Sequence, residues 1–444
     1  MNYMRLRTCP TPLRLFTNQL IHKPAPPLGI SFARQGTKTM AAPNSTVAAP
    51  PSEGYKPRYI DIGINLADPI FRGRYHGKPR HPDDLKDVVK RAQDVGCTKL
   101  IVTGSSFKSS RDALKLAAEF PGTVFSTAGI HPCSSSIFSP SHHKHHDESQ
   151  SESEEAQHTP ACDPDPTQPI PDGKGVDHAR SAKIIDDLRT LITKSPSSGL
   201  VAFGEFGLDY DRLHYCSKEV QLHSFAAQLS LAASLKPQLP LFLHSRAAHA
   251  DFVRLLKDAF GPRLERLERG GVVHSFTGTI EEMRELMDLG LYIGVNGCSF
   301  KTAENCDVVR EIELSRLMLE TDGPWCEVRP THEGWKYLVE AANKTKAAAA
   351  PTPSLGSEEG TSSPAPTQGK KQGKKNQKKE PEVPERFKVV KKEKWEQGAM
   401  VKGRNEPCTI ERIAIIVAGI KGVSVEDVCE AAWANTVKVF GLKE

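Results

Sequence analysis

The chain has 444 residues, of which 38% are hydrophobic and 25% charged, an ordinary composition that supplies enough apolar residues for a large buried core. Its ten cysteines are scattered without a C-x-x-C pair, which favours free thiols in a reducing compartment over a disulfide framework or a zinc ribbon. No apolar run approaches the roughly 18 residues needed to span a bilayer. Many of the basic residues that contribute to the formal net charge of +5 lie in one low-complexity tract.

Residues 1–55 are predicted to be a disordered extension or a targeting segment. The first 52 residues contain no acidic residue, whereas arginine and lysine recur through them, as in organelle transit peptides. The alternative is a start at Met40, which opens the plausible disordered stretch "MAAPNSTVAAPPSEG". Neither interpretation assigns these residues to the fold.

Two low-complexity insertions interrupt residues 56–444, which we predict to form one domain. The first, at about 134–178, contains "SHHKHHDESQSESEEAQH", whose histidines are candidate metal ligands but whose composition is that of a disordered loop. The second, at about 347–394, ends in "GKKQGKKNQKKEPEVPERFKVVKKEK". This basic tract is a candidate nuclear-localisation signal or nucleic-acid tether, with a solvated loop as the alternative.

Eight short apolar runs follow one another through the rest of the chain, with helical periodicity between most of them. This alternation predicts a parallel sheet covered by helices. Eight repeats favour an α/β fold of the closed, TIM-like (β/α)8 barrel type over an open doubly wound sheet. The predicted strands are Tyr59–Ile64, Leu100–Thr103, Val124–Ala128, Leu200–Gly204, Leu241–His244, Gly271–His274, Tyr292–Val295 and Leu317–Thr321. Two C-terminal helical patterns, "TIERIAIIVAGI" and "SVEDVCEAAWANTVKVF", are expected to pack on the outside of the barrel.

Four predicted strands end at a side chain that can bind a metal ion. Strand four, in "LVAFGEFGLDYD", ends at Glu205, strand five at His244 and strand six at His274, and Asp322 lies just past strand eight. Each residue alone is explained as a buried histidine or a helix-capping acid. In a barrel, however, all four ends open on the rim where active sites of this fold lie. Imidazole suits zinc and other transition metals and carboxylate suits magnesium or manganese, so the set predicts metal-assisted hydrolysis.

The chain also carries, in order, motifs that together resemble the TatD-type metal-dependent deoxyribonucleases of the amidohydrolase-like superfamily. They are "YIDIGINLADPIFRG", "TAGIHP", "VAFGEFGLDYDR", "LFLHSR", "VVHSFTG", "IGVNGCSF", "LETDGPW" and "KGRNEPCTI", and they cover about Arg58 to Gly441 apart from the two insertions. The resemblance implies a TIM-like barrel and a divalent-metal hydrolase that acts on DNA, often as a 3′-to-5′ exonuclease. It implies two divalent cations bound by Glu205, His244, His274 and Asp322. Glu205 would be shared between the ions and essential for catalysis.

One motif departs from the family pattern. Many relatives carry H-x-H at the end of strand one, where this chain has Gly63 and Asn65 in "DIGINL", the pattern of a TatD subgroup. The departure leaves open how one metal position is filled. Asp61 and Asn65 are candidate oxygen ligands there, although a bracing role for Asp61 is preferred.

Other polar residues are expected on the same rim. The resemblance suggests that His131 in "TAGIHP" contacts substrate phosphate or assists proton transfer, against the alternative of a histidine held before a proline turn. Arg246 is a candidate phosphate ligand through its planar guanidinium, or one half of an ordinary ion pair. Asp209 is a candidate partner for a ligand histidine, or a turn cap. Asn405 and Glu406 in "RNEP" are interpreted as residues that fix a loop.

The sequence therefore predicts a divalent-metal-dependent deoxyribonuclease that hydrolyses DNA phosphodiester bonds as a 3′-to-5′ exonuclease, without distinguishing Mg, Mn and Zn. Two alternatives stay open: a hydrolase of another ester or amide, and a non-catalytic scaffold with a degenerate site. DNA is the expected partner, with neither a membrane nor an obligate protein partner indicated. The nucleus or cytoplasm is the favoured location, and the acid-free N-terminal segment makes the mitochondrion the alternative.

Overall fold

The computed structural model describes residues 54–140, 175–196, 199–349 and 382–443. The residues described all belong to one compact unit. The acid-free N-terminal segment, the histidine cluster of the first insertion and the lysine repeats of the second lie outside the described residues, so the predictions about them stay predictions. None of the described helices is long and apolar enough to cross a membrane.

Eight strands form one sheet, paired in the order in which they occur along the chain, and every neighbouring pair is parallel. They are β1 (Tyr59–Ile64), β2 (Cys97–Val102), β3 (Val124–Ala128), β4 (Leu200–Asp209), β5 (Leu241–Arg246), β6 (Gly271–Val273), β7 (Tyr292–Val295) and β8 (Leu317–Leu319). All eight predicted strands are present. The main difference is that β4 continues beyond its predicted end to Asp209.

The first and last strands meet, which closes the sheet into a barrel. The N–H of Asp322 donates to the carbonyl of Gly63, and the N–H of Asn65 donates to the carbonyl of Gly323, both at 2.8 Å. The carboxyl ends of the parallel strands therefore open on one rim, and the predicted TIM-like (β/α)8 fold is confirmed.

Amphipathic helices follow the strands and cover the barrel. They are α1 (Leu85–Asp94), α2 (Phe107–Glu119), α3 (His178–Lys194), α4 (Lys218–Ser234), α5 (His249–Phe260), α6 (Ile280–Asp288), α7 (Ala303–Glu311), α8 (Trp335–Ala349), α9 (Ile410–Lys421) and α10 (Val425–Phe440). Local sequence fixes several starts. In α6, for example, the Thr279 hydroxyl accepts the N–H of Glu282 while the Glu282 carboxylate accepts the N–H of Thr279.

The last helix differs from its prediction. Helix α9 packs on the outside against α7 and α8, as expected. Helix α10 instead closes the end of the barrel opposite the rim, where Trp433 and Phe440 join the apolar cluster of the interior residues Ile62 and Phe242. The amide of Asn435 also donates to the backbone at the start of β8. Helical periodicity shows which side chains are buried, but it does not show which end of a barrel they cover.

A buried ion network holds the "RNEP" segment in place. The Arg404 guanidinium donates to both carboxylate oxygens of Asp84, at 2.9 and 2.6 Å, and to Glu406 at 2.9 Å. Arg91 donates to the other oxygen of Glu406 at 2.8 Å. These four side chains are at most 4% exposed. The network therefore ties the C-terminal segment to α1 through paired charges.

This anchored segment fixes the loop after β8. The side-chain amide of Asn405 donates to the carbonyls of Thr321 and Trp325, at 2.9 and 2.8 Å. These carbonyls lie on either side of Asp322 along the chain. The geometry agrees with the interpretation of Asn405 and Glu406 as residues that fix a loop.

Regular structure extends further into both insertions than composition predicted. Residues Pro132–Phe138 form a 3₁₀ helix, and α3 already begins at His178. After the second insertion, Val389–Val390 pairs with Met400–Val401 in a short parallel ladder. The bounds predicted from composition, about 134–178 and 347–394, therefore enclose short ordered segments at the edges of the stretches that the structure does not describe.

Candidate metal centre

Three of the four predicted strand-end residues converge at the carboxyl-terminal rim. Glu205 lies in β4, His244 in β5 and His274 directly after β6, and all three side chains are buried. Nε2 of His274 lies 2.5 Å from Oε1 of Glu205, and Nδ1 of His244 lies 3.1 Å from the same oxygen. The two imidazole nitrogens are 3.4 Å apart. The predicted convergence is therefore present for these three residues.

The fourth residue, Asp322, lies beside this cluster. Its Oδ1 accepts a hydrogen bond from the side-chain amide of Asn65 at 3.0 Å, and its Oδ2 accepts one from the thiol of Cys326 at 3.2 Å. Burial raises the pKa of Asp322 to about 7, although the positive charge of His274 lowers it in part. Asp322 therefore interacts electrostatically with the cluster but makes these two hydrogen bonds outside it.

Backbone conformation brings these residues close together. Gly204 has a φ of +146°, and a Cβ at this position would lie 2.0 Å from the carbonyl oxygen of Phe242 in the neighbouring strand. Ser275 and Asp322 have φ values of +49° and +51°, in the left-handed region that residues other than glycine seldom adopt. Such strained conformations concentrate at functional sites. The strain lies at the rim, next to the buried cluster.

Glu205 and His274 stabilise each other's charges. Burial alone would raise the pKa of Glu205, but the positive charge of His274 holds it well below its usual range. Burial alone would lower the pKa of His274, but Glu205 and Glu320 raise it well above its usual range. A metal ligand must be a neutral imidazole, so a cation that binds His274 has to displace its proton. Metal binding is therefore expected to release protons.

His131 lies in the same cluster, with its Nε2 towards Glu205. Its Nε2 lies 3.4 Å from Oε1 of Glu205, and the ligand atoms of His131, Glu205 and His244 all lie within 4.8 Å of one another. Nδ1 of His131, however, accepts the N–H of Cys133 at 3.1 Å. A neutral imidazole carries one N–H and one lone pair, so Nε2 carries the hydrogen. Burial lowers the pKa of His131 to about 3, which keeps the ring neutral. The geometry thus favours a donor over a metal ligand.

Asp209 both caps a turn and supports His244, so the two sequence interpretations hold together. Its Oδ1 accepts the N–H of Asp211 at 3.1 Å, and its Oδ2 lies 3.2 Å from Nε2 of His244. Arg212 donates to the same Oδ2 at 2.6 Å. Burial would raise the pKa of Asp209, but its hydrogen bond with His244 and the charge of Arg212 hold it below its usual range. An ionised Asp209 directs the Nε2–H of His244 towards itself and leaves the Nδ1 lone pair on the side of Glu205.

We expect Asp209→Asn to weaken the binding of a divalent cation by about 10- to 100-fold, the usual loss when the hydrogen-bond partner of a ligand histidine is changed. The measurement is a calorimetric titration of the purified protein with Mn²⁺. Asp258→Asn, which changes an exposed carboxylate on α5, is the matched control and should leave the affinity unchanged. Equal affinities for both variants would contradict this role of Asp209.

Glu320 lies beside His274 and was not predicted from the sequence. Its Oε1 accepts the N–H of Ser275 at 2.5 Å and the side-chain amide of Asn296 at 3.2 Å. Its Oε2 lies 3.4 Å from Nδ1 of His274. A Cβ at Gly63 would lie 2.5 Å from this same oxygen. Glycine at the first position of the family's H-x-H pattern therefore leaves room for the Glu320 carboxylate.

Asp61 and Asn65 join the first strand to the last. Oδ1 of Asp61 accepts the N–H groups of Thr321 and Gly63, at 3.0 and 3.3 Å, and its Oδ2 accepts the Thr321 hydroxyl at 2.5 Å. The side-chain amide of Asn65 donates to Asp322 and to the carbonyl of Gly323. The geometry agrees with the bracing interpretation of Asp61.

The donor set fits a divalent cation. Bonds of about 2.0–2.2 Å from zinc to imidazole nitrogen or carboxylate oxygen place neighbouring ligand atoms of a tetrahedral ion roughly 3.3–3.6 Å apart. Nδ1 of His244 lies 3.1 Å from Oε1 of Glu205 and 3.4 Å from Nε2 of His274, close to this range, whereas Nε2 of His274 lies only 2.5 Å from Oε1 of Glu205. A mixed set of imidazole and carboxylate ligands suits several divalent metals. The residues present can therefore bind such an ion once the hydrogen bond between His274 and Glu205 opens and its proton is released.

Comparisons with known proteins agree with this chemistry. The family described as TatD related DNase matches residues 60–441. The deoxyribonuclease Tat-D of Schizosaccharomyces pombe is 39% identical, over 86% of this chain and 96% of its own length. The 3′-5′ ssDNA/RNA exonuclease TatD of Pantoea sp. is 35% identical, over 62% of this chain and 82% of its own length. The crystal structure of an uncharacterised amidohydrolase from Saccharomyces cerevisiae superposes with a TM-score of 0.64 at 32% identity, over 86% of this chain and 99% of that chain.

The family match extends from β1 to the end of α10 and includes every residue of the cluster described above. Barrel topology, metal-binding chemistry and sequence similarity therefore lead to one conclusion: the chain belongs to the TatD related DNase family of metal-dependent hydrolases.

Proposed function

We propose that this enzyme hydrolyses DNA phosphodiester bonds and removes nucleotides from the 3′ end. The observation that carries the proposal is the convergence of Glu205, His244 and His274, whose ligand atoms lie within 3.4 Å of one another at the barrel rim. The names of the relatives, a deoxyribonuclease and a 3′-5′ ssDNA/RNA exonuclease, support a polynucleotide as the substrate.

Two divalent cations would be bound by Glu205, His244, His274 and Asp322. Both imidazoles face Oε1 of Glu205, and a carboxylate has a second oxygen, which makes Glu205 the residue best suited to be shared. When bound, such ions lower the pKa of water and neutralise negative charge on phosphoryl oxygens. The protein supplies the buried ligands: Asp209 would orient His244 through a hydrogen bond, and the Glu320 carboxylate lies against the ring of His274.

His131 would donate its Nε2–H to a non-bridging oxygen of the scissile phosphate. The hydrogen bond from the Cys133 N–H to Nδ1 fixes this tautomer, so the donor is already aimed into the site. A donor held in advance stabilises negative charge that develops in the transition state without a further cost of orientation. Of the two roles suggested for His131, phosphate contact is therefore preferred to proton transfer.

Positive side chains next to the cluster suit a polyanionic substrate. Arg246 follows His244 by two residues at the end of β5, and Lys301 follows the 3₁₀ helix after β7. The charges of both cations lower the pKa of the Cys298 thiol. This thiol contacts Cys326, which lies beside Asp322. Within the part of the chain that the structure describes, neither cation forms an ion pair with an acid. They are therefore available to phosphate groups that flank the scissile bond.

We expect Arg246→Ala to raise the KM for a single-stranded oligonucleotide about tenfold, with kcat within twofold, because the lost contact lies outside the reacting phosphate. The slope of log affinity against log salt concentration should fall by about 0.7, the contribution of one phosphate contact on a single strand. Steady-state kinetics at three salt concentrations measure both quantities. Arg111→Ala, on the exposed side of α2, should change neither. A fall in kcat with unchanged KM would contradict a phosphate-binding role.

The main alternative is hydrolysis of another ester or an amide on the same barrel. Arg246 and Lys301 argue against a neutral substrate, because such a substrate gains little from unpaired cations. A scaffold with a degenerate site would not need the hydrogen bond by which Asp209 orients His244. Turnover of an amide or carboxylic ester with no cleavage of DNA would replace the present proposal.

The decisive experiment uses the purified chain and a 5′-labelled single-stranded DNA oligonucleotide, with Mg²⁺ or Mn²⁺ and with excess chelator. Removal of nucleotides from the 3′ end should give a ladder of labelled products that shortens with time. The chelator should abolish it. A few large products from the outset would indicate endonuclease activity, and cleavage that persists after complete metal removal would overturn the proposed mechanism.

The proposed site of action is the nucleus or the cytoplasm. The lysine-rich tract of the second insertion supports nuclear import, whereas the acid-free N-terminal segment would support the mitochondrion instead. Imaging of the tagged full chain beside a variant that starts at Met40 tests this. Mitochondrial signal from the full chain alone would contradict the proposal.

A further inference from the structure

Two cysteine thiols lie in contact beside the candidate metal centre. Cys298 belongs to the 3₁₀ helix Gly297–Phe300 after β7, and Cys326 follows Asp322 by four residues. Their sulfur atoms are 3.0 Å apart, and the sulfur of Cys326 also lies 3.2 Å from Oδ2 of Asp322. A disulfide bond has a length of about 2.05 Å, so a shift of roughly 1 Å would join the two sulfurs.

The backbone conformation of two loops holds these thiols in contact. A Cβ at Gly297 would lie 1.9 Å from the carbonyl oxygen of Cys326, so only glycine allows the two loops to approach this closely. Cys326 itself has a φ of +54°, an uncommon conformation for a residue with a side chain. The Asn405 amide holds the same loop through the Trp325 carbonyl. Both cysteines are therefore presented by loops whose relative position is fixed.

The two thiols also differ from most of the other described cysteines. Cys97, Cys216, Cys306, Cys408 and Cys429 are buried, whereas Cys298 and Cys326, like Cys133, are partly exposed. The contact with Cys326, together with the nearby charges of Lys301 and Arg246, lowers the pKa of Cys298 to about 6. Reactive cysteines occupy partly exposed, electropositive surroundings of this kind.

We propose that Cys298 and Cys326 form a reversible disulfide upon reaction with hydrogen peroxide, and that this bond weakens metal binding at Asp322. The Cys298 sulfur attacks one peroxide oxygen, the O–O bond breaks, and the released hydroxide takes a proton to become water. The Cys326 sulfur then attacks the Cys298 sulfenic acid, the S–O bond breaks, and hydroxide leaves with the Cys326 proton as a second water. Two thiols are oxidised and one peroxide is reduced.

The effect on the metal centre follows from the lost thiol hydrogen. In the reduced protein the Cys326 thiol donates to Oδ2 of Asp322. A disulfide has no hydrogen to donate, and it pulls the Cys326 sulfur towards Cys298. Partners that orient a ligand typically contribute 10- to 100-fold to metal affinity. We therefore expect oxidation to weaken cation binding about tenfold. This part of the inference rests on the proposed function, in which Asp322 is a metal ligand.

Peptide mapping tests the disulfide independently of the metal and of activity. The full-length protein is treated with a small excess of peroxide, alkylated and digested with trypsin without reduction. The expected product joins the peptide 285–301 to the peptide 317–336, each of which contains a single cysteine. It should disappear after reduction and in Cys298→Ser, and persist in Cys306→Ser, where a buried thiol is removed. No joined peptide, or equal yields of several unrelated pairs, would overturn the proposal.

A second measurement tests the effect on the metal centre. Binding of Mn²⁺ alone is followed by the electron paramagnetic resonance signal of the free ion, before and after oxidation. Wild-type affinity should fall about tenfold and recover on reduction, whereas the affinity of Cys298→Ser should not respond to peroxide. A joined peptide with unchanged Mn²⁺ affinity would overturn the coupling to Asp322 while leaving the disulfide standing. Failure to bind Mn²⁺ even in the reduced protein would instead count against the proposed function.

Discussion

Glu205→Gln is expected to reduce kcat/KM for a labelled single-stranded oligonucleotide by about a thousandfold or more. Glutamine keeps the shape of the side chain but removes the negative charge that both His244 and His274 face. It also leaves only one oxygen able to bind a cation. A loss of about 4 kcal/mol in transition-state stabilisation corresponds to a thousandfold. The measurement is steady-state kinetics at saturating Mn²⁺, with circular dichroism to establish that the variant is folded.

The matched control is Glu340→Gln, which makes the same chemical change at an exposed position of α8 and should retain full activity. If a folded Glu205→Gln variant kept more than a tenth of the wild-type activity, Glu205 would not be the central ligand. Asp322 would then become the candidate for the central metal ligand.

Arg404→Met is expected to lower the free energy of unfolding by about 3–5 kcal/mol, the usual cost when one partner of a buried ion pair is removed. Methionine fills part of the volume, but Asp84 would lose both of its contacts with the guanidinium, and Glu406 one of its own. At about 2–4 °C per kcal/mol for a large domain, the melting temperature should fall by at least about 6 °C. Chemical denaturation and thermal melting measure the two quantities.

Arg386→Met provides the comparison. Arg386 pairs with Glu411, but its side chain is 52% exposed, so its loss should cost less than about 1 kcal/mol. Equal destabilisation by the two substitutions would contradict the structural role of the buried network. A second expectation is specific to Arg404: because Asn405 holds the loop around Asp322, Arg404→Met should also weaken Mn²⁺ binding, whereas Arg386→Met should not.

Local sequence determined the elements of this fold and most of the candidate ligands. Runs such as Leu200–Gly204 and Leu241–His244 are recognisable because strands buried on both faces need continuous apolar sequence. Glu205 and His244 stand out at the ends of those runs because a polar side chain is costly in a barrel core and acceptable at its rim. Since parallel strands bring their ends together, chain order was enough to predict that these residues converge.

The position of Glu320 near the site could also have been predicted from sequence spacing. Glu320 precedes Asp322 by two residues, and alternation along a strand places both on the side of Met318, which faces the barrel interior. That spacing alone could have identified Glu320 as a neighbour of the site. Its partner His274 comes from another strand, so the contact itself required the tertiary structure.

Other features were decided only by three-dimensional packing. The pattern of α10 shows an apolar face but not the open barrel end that this face covers. The tautomer of His131 depends on a backbone N–H in its own loop. The contact between Cys298 and Cys326 depends on two loops that glycine allows to meet. The sequence by itself determined which segments form strands and helices and which polar groups lie at strand ends, because these follow from local periodicity. The tertiary structure alone decided how those groups are oriented, because hydrogen-bond geometry depends on residues far apart in the chain.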